Sequence, residues 1–364
     1  MEHFSKILLT PGPLTTSDKV KESMMVDYGT RDISYELIVA MVKDKILKIA
    51  HATNNYECIL LQGSGTYGVE SVLNSTIGKE EKVLILSNGA YGQRMANIMQ
   101  KANKPYEIVE FSNIKSLYIA EIEKIIANSN STHVAFIHSE TTAGVLNDIV
   151  KISKIIKKYD KQIIVDAMSS FGGIDINVQQ LDIDYLITSS NKCLHGVPGL
   201  SIIIAKKQSL DECKDKATSL SLDLYEQYLG MKNNTFRFTS PTHVLSALNS
   251  AIDELIEIGG VNKRYETYLK YNKDIKEFML LKGFKTLVDD NDQSMIITTY
   301  LMSDTFNFNN YYDYMKENGF LLYSGKLSNY NAFRIGNIGN ISEEDIDRFK
   351  LYTSRYLEIN NDNR

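Results

Sequence analysis

The sequence predicts an α/β protein, with a large domain on a mostly parallel seven-stranded sheet and a smaller α+β domain toward its C-terminal end. The first indication is a regular alternation of short apolar runs with helix-like stretches between residues 56 and 207. Several runs are continuously apolar and rich in β-branched residues, as in strands buried on both faces of a sheet. After residue 259 this alternation ends. A length of 364 residues is also typical of about two domains.

The large domain is predicted to contain seven strands: Glu57–Gln62, Lys82–Ser87, Tyr106–Phe111, His133–His138, Gln162–Asp166, Tyr185–Thr188 and Leu200–Ala205. Helices are predicted between the earlier strands: Thr66–Thr76, Gly92–Ala102, Ser116–Ala127 and Val150–Tyr159. Strands that alternate with helices in this way form the parallel sheets of doubly wound domains. The last three strands have shorter connections, so we expect at least one antiparallel pair among them.

Residues 16–258 are assigned to the large domain, and residues 1–15 and 259–364 to the small one. A helix near His243–Ile258 ends at two glycines, which favour a helix stop. The small domain is predicted to contain a helix at Lys263–Lys282, a strand at Ser294–Leu301, a helix at Asn309–Asn318, strands at Phe320–Tyr323 and Ala332–Ile335, and a final helix opening at Ser342. The proline-rich segment Thr10–Pro13 cannot form regular structure, and we expect it to pack on the small domain or to line a cleft.

Composition and charge exclude several classes of protein. Forty basic and forty-five acidic residues give a net charge of −5, which offers no electrostatic footprint for nucleic acid or an anionic membrane. The first residues lack the apolar core of a signal peptide, and no apolar run reaches the roughly 18 residues of a membrane helix. The three cysteines are Cys58, Cys193 and Cys213. They are too few and too scattered for a disulfide framework or a zinc site, so we expect a reducing cytoplasmic setting and no metal.

The segment Gly63–Gly68 follows an apolar run and opens a predicted helix. Glycines allow the backbone to approach a phosphate, and the free N–H groups of a helix start attract it. The segment also fits the G-x-G-x-x-G pattern of dinucleotide-binding dehydrogenases, which carry an acid about 20 residues further on. Here the next strand is followed by Asn88 and Gly89 instead. We therefore interpret the segment as a phosphate-binding loop, with a nicotinamide-dependent dehydrogenase or a plain strand–helix turn as the alternatives.

Two ionisable residues follow apolar strands at the same predicted edge of the sheet. Asp166 ends one strand, and Lys192 follows the next in a loop of small residues. Pyridoxal 5′-phosphate (PLP) needs an amine for a Schiff base and an anion beside its ring nitrogen. The glycine loop supplies a phosphate cradle, and Tyr91 can stack on the ring. The combination predicts a PLP site. Taken alone, Asp166 could equally be an acid that caps a turn, and Lys192 could be an ordinary surface lysine.

These residues belong to segments that resemble the fold-type I PLP enzymes, in the class V aminotransferase branch. The segments are LLTPGPLTTS (8–17), LLQGSGTYGVES (60–71), LSNGAYGQRM (86–95), HSETTAG (138–144), IIVDAMSSFGGI (163–174), SSNKCLHGVPG (189–199), SLSLDLY (219–225), FRFTSPTH (236–243) and FRIGNIG (333–339). They span nearly the whole chain. The resemblance implies the fold of the fold-type I PLP transferases, with PLP as the cofactor.

The resemblance also implies roles for the residues around the cofactor ring. Lys192 would bind the cofactor covalently, and Asp166 would pair with its ring nitrogen; these two are the expected catalytic residues. Tyr91 would stack on the ring, and Thr141 would lie near the phenolic oxygen of the cofactor.

Further roles concern the two anionic groups that the site would hold. By the same resemblance Ser64, Gly65 and Thr66 would bind the cofactor phosphate. Thr239 would reach that phosphate from the second subunit, so the protein would be a homodimer with shared active sites. Arg334 would bind the anionic end of the substrate.

The segments HSETT, VDAMSSFGG and RFTSPTH are similar to one branch of the family in particular. The activity that this similarity implies is transfer of the amino group of 2-aminoethylphosphonate to pyruvate, giving phosphonoacetaldehyde and L-alanine. A transaminase of the alanine–glyoxylate or serine–pyruvate type, and a non-catalytic PLP-binding protein, are the alternatives. Arg31 and Arg237 are further candidates for the second phosphonate charge, whereas Arg94 is expected on a helix surface or an interface. Whether the reaction serves phosphonate degradation or biosynthesis stays open.

Overall fold

The computed structural model describes residues 6–325, 327 and 329–359. In chain order its strands are β1 (Ile7–Leu8), β2 (Tyr56–Gln62), β3 (Val83–Ser87), β4 (Tyr106–Glu110), β5 (His133–Ile137), β6 (Ser139–Glu140), β7 (Val145–Leu146), β8 (Gln162–Asp166), β9 (Tyr185–Ser189), β10 (Leu200–Lys206), β11 (Lys285–Thr286), β12 (Ile297–Leu301), β13 (Phe320–Leu321), β14 (Tyr323–Ser324) and β15 (Ala332–Gly336). Its α-helices are α1 (Asp18–Glu22), α2 (Ile33–Ile49), α3 (Gly65–Thr76), α4 (Ala90–Lys101), α5 (Ile119–Asn128), α6 (Ile149–Lys158), α7 (Lys207–Asp211), α8 (Leu224–Met231), α9 (Thr242–Glu257), α10 (Gly260–Leu281), α11 (Phe308–Glu317) and α12 (Glu343–Ile359).

The predicted apolar runs form one seven-stranded sheet in the order β2–β10–β9–β8–β5–β3–β4. Its neighbouring strands are parallel except at β10, which is antiparallel to both β2 and β9. Residues 190–199 connect β9 to β10. They are too few for the crossover of a dozen or more residues that a parallel pair needs. The mostly parallel sheet is therefore confirmed, and so is antiparallel pairing among its last strands.

The direction of the central strands decides where a ligand can bind. Strands β3, β5 and β9 are buried at every position, so both faces of the sheet are covered because side chains alternate between the faces. Strands β3, β5, β8 and β9 run in the same direction, and their last residues, Ser87, Ile137, Asp166 and Ser189, lie along one edge. Open α/β sheets bind ligands at this carboxyl edge.

A second, four-stranded sheet in the order β11–β12–β15–β14 lies in the C-terminal part of the chain. Its core joins Leu9 to apolar residues between Ile275 and Leu357 and is separate from the core of the large sheet. Aromatic rings dominate it: the ring centre of Phe333 lies 5.9 Å from that of Phe306. The exact domain limits stay a prediction, and residues 1–5 and 360–364 of the assigned small domain lie outside the described residues.

The N-terminal segment runs from the small sheet to the edge of the large one. Strand β1 pairs in parallel with β13, and the N–H of Gly336 donates to the carbonyl of Leu9 at 3.0 Å. Gly12 and Pro13 then line a cavity at the carboxyl edge of the large sheet. The segment thus both packs on the C-terminal part and lines a cleft.

The structure differs from the sequence-based expectations at several positions. The predicted strand Phe320–Tyr323 is wrong as a single strand, because the chain changes partner at Leu322: β13 pairs with β1, and β14 pairs with β15. The helix expected from Lys263 already begins at Gly260, since Gly259 makes the turn with a φ of 102°. Helix α2 was not predicted, although its buried residues recur at helical spacing.

Among the described residues, no helix combines the length and apolar character needed to cross a bilayer.

Candidate active site

A cavity of about 250 Å³ lies at the carboxyl edge of the central sheet, where the loops after β2, β8 and β9 meet the N-terminal segment. The residues that line it are Gly12, Pro13, Ser64, Gly65, Thr66, Val69, Tyr91, Arg94, Ile137, Ser139, Asp166, Met168, Ser169, Ser189, Asn191 and Lys192. Six of the nine predicted site residues are therefore brought together in one lining.

The predicted phosphate loop forms the start of α3. Ser64 is the N-cap residue, but its side chain makes no capping hydrogen bond, so the hydroxyl is not used by the helix. Gly63 has a φ of 124°, a conformation that favours glycine. A Cβ atom on Gly65 would lie 2.1 Å from Sδ of Met168, so a larger residue would push Met168 out of its place. The loop therefore offers uncapped N–H groups and close backbone access to an anion.

Asp166 is a buried carboxylate, 5% exposed, at the end of β8. Its Oδ1 accepts a hydrogen bond from the N–H of Met168 at 2.9 Å. Desolvation by burial raises the pKa of Asp166 to about 6, although that hydrogen bond opposes the rise. A carboxylate in this state needs a cation beside it, and the charges of Arg94 and Lys192 act on it only at longer range than a direct ion pair.

Lys192 follows β9 and points toward the N-terminal segment. Its Nζ donates hydrogen bonds to the carbonyl oxygens of Pro11 and Gly12, each at 3.0 Å. Gly12 has a φ of 108°, and a Cβ atom there would lie 2.5 Å from Cδ of Lys192. Only glycine fits this approach without strain, so the segment at Gly12 closes directly over the lysine.

The fully buried carboxylate of Glu140 organises the neighbourhood of Tyr91 and Thr141. It accepts hydrogen bonds from the N–H of Tyr91 at 3.1 Å and from the N–H and hydroxyl of Thr142 at 2.9 and 2.5 Å. The Thr141 hydroxyl lies 3.5 Å from the hydroxyl of Tyr91. Burial raises the pKa of Glu140, and the three hydrogen bonds oppose that rise. Sequence reasoning missed this residue, although it directly precedes Thr141.

Arg334 is not among the residues that line the cavity. It is 2% exposed, in β15 of the small sheet. Its Nε donates to the carbonyl of Ser324 at 3.1 Å, and its Nη1 donates to the carbonyl of Thr141 at 3.0 Å. Desolvation lowers the pKa of Arg334. Two neutral carbonyls use only part of the donors of a guanidinium and leave its charge to be balanced by an anion.

Thr239 is exposed and does not line the cavity of its own chain. Neither Arg31 nor Arg237 lines it, and Arg237 donates to the carbonyl of Leu220 at 2.5 Å. Arg94, which we expected on a helix surface or an interface, does line the cavity. The signal was present in the sequence, because residues three apart share one face of a helix and Arg94 follows Tyr91 at that spacing.

The loop that carries Lys192 is attached to helix α10 behind the cavity. Arg264 is buried, and its Nη1 donates to the carbonyl of Cys193 at 2.6 Å. His195 Nε2 lies 2.5 Å from the Tyr268 hydroxyl and accepts the N–H of Gly339 at 3.1 Å. Burial lowers the pKa of His195, so the ring is neutral and can accept. The C-terminal part thereby holds the lysine loop in place.

PLP fits the residues that the cavity presents. Asp166 is a buried carboxylate with no direct cationic partner among the described residues, and a protonated ring nitrogen would supply one. Ser64 and Gly65 line the cavity at the start of α3, where the Ser64 hydroxyl and the free N–H groups can bind a phosphate. Lys192 provides an amine in the same lining, and Tyr91 provides an aromatic face. These residues therefore supply the four features that PLP needs: an amine, an anion, a phosphate cradle and a stacking surface.

Residues 24–349 match the family described as Aminotransferase class-V. The chain is 48% identical over 348 residues to the 2-aminoethylphosphonate--pyruvate transaminase of Bacteroides fragilis, covering 94% of this chain and 96% of that protein. It is 46% identical over 349 residues to the protein of the same name from Klebsiella pneumoniae, covering 93% and 94%. The crystal structure of ureidoglycine-glyoxylate aminotransferase from Bacillus subtilis superposes with a TM-score of 0.91 at 22% identity, covering 99% and 95% of the two chains. The chain therefore belongs to the class V aminotransferases, a family of PLP-dependent enzymes.

Proposed function

We propose that this enzyme transfers the amino group of 2-aminoethylphosphonate to pyruvate, giving phosphonoacetaldehyde and L-alanine. The observation that carries the proposal is the common lining of one cavity by Lys192, Asp166 and the α3 phosphate cradle, together with the buried cation Arg334, which donates to the carbonyl of Thr141. The two relatives of that name, at 48% and 46% identity over most of the chain, support the choice of substrates.

The chemistry begins with the chain's own amine and carboxylate. When bound, PLP withdraws electrons from the carbon that carries the amino group, so that this carbon can lose a proton. Asp166 would stay ionised beside the protonated ring nitrogen and thereby maintain that withdrawal, because opposite charges favour each other's ionised form. Lys192 would hold the cofactor through Nζ, and the same amine, once free, would move the proton. The carbonyl oxygens of Pro11 and Gly12, each 3.0 Å from Nζ, accept its hydrogen bonds and thereby hold the amine in position.

Arg334 is proposed to bind the phosphonate of the donor in one half-reaction and the carboxylate of pyruvate in the other. A planar guanidinium forms paired hydrogen bonds with either oxyanion, which a lysine does less well. The carbonyls of Ser324 and Thr141 hold its Nε and Nη1 at fixed positions. The hydroxyl of Thr141 also lies 3.5 Å from that of Tyr91. Thr141 therefore connects Arg334, the proposed substrate-binding residue, to Tyr91, on which the cofactor ring would stack.

A homodimer with shared active sites is part of the proposal. The side chain of Thr239 is exposed beside Phe238, which is itself 41% exposed. Ile33, Leu37 and Met41 form an exposed apolar stripe on α2 at helical spacing, a face that a second subunit would cover. We also propose a cytoplasmic location, which the three buried free cysteines support because an oxidising compartment would give them no structural use.

A coupled assay of the purified PLP-loaded protein tests the function. We expect turnover with 2-aminoethylphosphonate and pyruvate, with L-alanine and phosphonoacetaldehyde formed in equal amounts. Serine and glycine with pyruvate, and alanine with glyoxylate, serve as the comparison. We expect kcat/KM for serine and glycine to be lower by about 100-fold or more, because a site built to bind a phosphonate rejects donors that lack it. Alanine is the product of the proposed reaction and can donate in the reverse direction, so its kcat/KM with glyoxylate is expected to stay below that of 2-aminoethylphosphonate with pyruvate. Higher kcat/KM for alanine with glyoxylate, or for serine with pyruvate, would overturn the proposal.

A further inference from the structure

Arg94 occupies a position that connects the phosphate cradle to the stacking ring. Its Nη1 donates to the hydroxyl of Thr66 at 3.1 Å, and Thr66 belongs to the first turn of α3. Its guanidinium carbon lies 4.9 Å from the ring centre of Tyr91, one turn earlier on α4. The side chain therefore extends from α4 across the cavity opening to the start of α3.

The charge of Arg94 has no direct partner in the described part of the chain. Its contacts there are the hydroxyl of Thr66 and the face of Tyr91, and neither is an anion. The carboxylates of Glu140 and Asp166 respond to its charge, but they do so from outside ion-pair distance. A guanidinium that lines a cavity without a counter-charge favours the binding of an anion there.

The cradle, for its part, lacks a cation of its own. Ser64, Gly65 and Thr66 offer hydroxyl and backbone N–H groups, and a helix start contributes only about half an elementary charge. A phosphate ester carries between one and two negative charges near neutral pH, about −1.5 to −2. Lys192, the other cation of the lining, donates to the N-terminal segment and is assigned to covalent binding. Among the described residues of the lining, Arg94 is the cation that remains to balance the charge of a phosphate at the cradle.

We infer that Arg94 is the cationic ligand of the cofactor phosphate, and that it binds this group together with the N-terminal turn of α3. The inference rests on PLP as the cofactor but is independent of which amine the enzyme accepts. Arg94 already contacts Thr66, so it needs only a small side-chain shift to direct its remaining N–H groups at an anion bound by the same turn. Its stacking on Tyr91 keeps the guanidinium plane in position for that contact.

The test compares two probes that differ only in the phosphate. The cofactor-free protein is titrated with PLP and with pyridoxal, and the visible absorbance of the product formed at Lys192 gives a Kd for each. For Arg94→Gln we expect the Kd for PLP to rise about 10- to 100-fold, as for loss of a charge-assisted hydrogen bond, while the Kd for pyridoxal changes by about twofold or less. Arg94→Lys keeps the charge but not the fork, and an intermediate rise is expected.

Arg355→Gln is the matched control. Arg355 is exposed on α12 and lies 5.9 Å from the ring of Tyr352, with the same three-residue spacing as Arg94 and Tyr91 but remote from the cavity lining. We expect both of its Kd values to equal those of the unmodified protein. Raised salt is expected to weaken PLP binding more in the unmodified protein than in Arg94→Gln, since exposed ion pairs are screened.

Several results would overturn the inference. An equal loss for PLP and pyridoxal in Arg94→Gln would mean that the arginine acts only through the Tyr91 ring or the fold. An unchanged Kd for PLP, with a raised KM for the aminophosphonate, would place Arg94 at the substrate instead. If the unmodified protein itself bound PLP no better than pyridoxal, the cofactor site would be at fault, which is a different failure from that of Arg94.

Discussion

Replacing Asp166 with asparagine is expected to stabilise the cofactor-free protein while removing its activity. The pKa of Asp166 is raised from 3.8 to about 6, chiefly by desolvation. One pKa unit corresponds to about 1.4 kcal/mol, so keeping this carboxylate ionised in the folded chain costs about 3 kcal/mol at neutral pH. Asparagine keeps the acceptor for the N–H of Met168 but carries no charge.

The sign of the pH dependence follows from proton linkage. Since the folded protein binds this proton more tightly than the unfolded chain, the free energy of unfolding falls as the pH rises from about 4 to about 6. The gain in free energy of unfolding that Asp166→Asn brings should therefore be close to zero near pH 4. It should reach about 1.5 kcal/mol at pH 5 and about 3 kcal/mol above pH 7. In melting temperature the full effect amounts to roughly 4 °C for a chain of this length.

The assay is thermal unfolding of the cofactor-free protein across this pH range, at fixed protein concentration. The matched control is Asp184→Asn, because Asp184 is equally buried at 4% exposure but accepts from Lys157 at 2.8 Å and Lys206 at 2.9 Å. Loss of that paired carboxylate should lower the melting temperature. No stabilisation by Asp166→Asn at pH 7, or a gain that shrinks as the pH rises, would refute the desolvation argument. Normal turnover of the PLP-loaded variant would refute its catalytic role.

Further predictions concern the groups that hold the site together. Glu140→Gln should raise the dissociation constant of PLP about tenfold, because the buried N–H of Tyr91 loses its acceptor; an unchanged constant would contradict the capping role of Glu140. Gly12→Ala should cost about 1–3 kcal/mol of stability and slow covalent capture of PLP, measured by absorbance, since φ is 108° there. Gly29→Ala, whose Cβ would meet Cβ of Asp32 at an ordinary contact distance of 3.8 Å, should leave both measurements unchanged. Arg264→Gln should lower kcat more than it raises KM, because Arg264 holds the loop that carries Lys192, the proposed cofactor lysine. A change in KM alone would count against this.

Much of the fold could be predicted because its signals are local. The apolar runs between residues 56 and 207 identify the strands of the central sheet to within a residue or two at each end. The split at Leu322 could not be predicted in the same way. An apolar run indicates a buried strand but does not show which strand it pairs with. Here the two halves of one run pair in two different sheets.

The placement of the proposed catalytic pair was also within reach of the sequence. Asp166 and Lys192 each follow a strand, and strands of one direction bring such residues to one edge. Their roles in the reaction stay a prediction. The positions of Glu140 and Arg94 in the site were not predicted from the sequence. Glutamate and arginine have several common structural roles, and only the surrounding residues show which role applies. Glu140 became informative once its carboxylate was seen to cap the helix of Tyr91, and Arg94 once its guanidinium was seen beside Thr66.

Periodicity and strand-end chemistry thus suffice to indicate the α/β class, the central sheet and a lysine–aspartate pair at its edge, because backbone preference and side-chain alternation depend on near neighbours in the chain. The closing of the site depends on contacts between distant residues: the carbonyl of Pro11 meets Nζ of Lys192 across 181 positions, and Arg334 reaches Thr141 across 193. Such contacts follow from how sheets and segments pack together, and packing is a property of the whole chain.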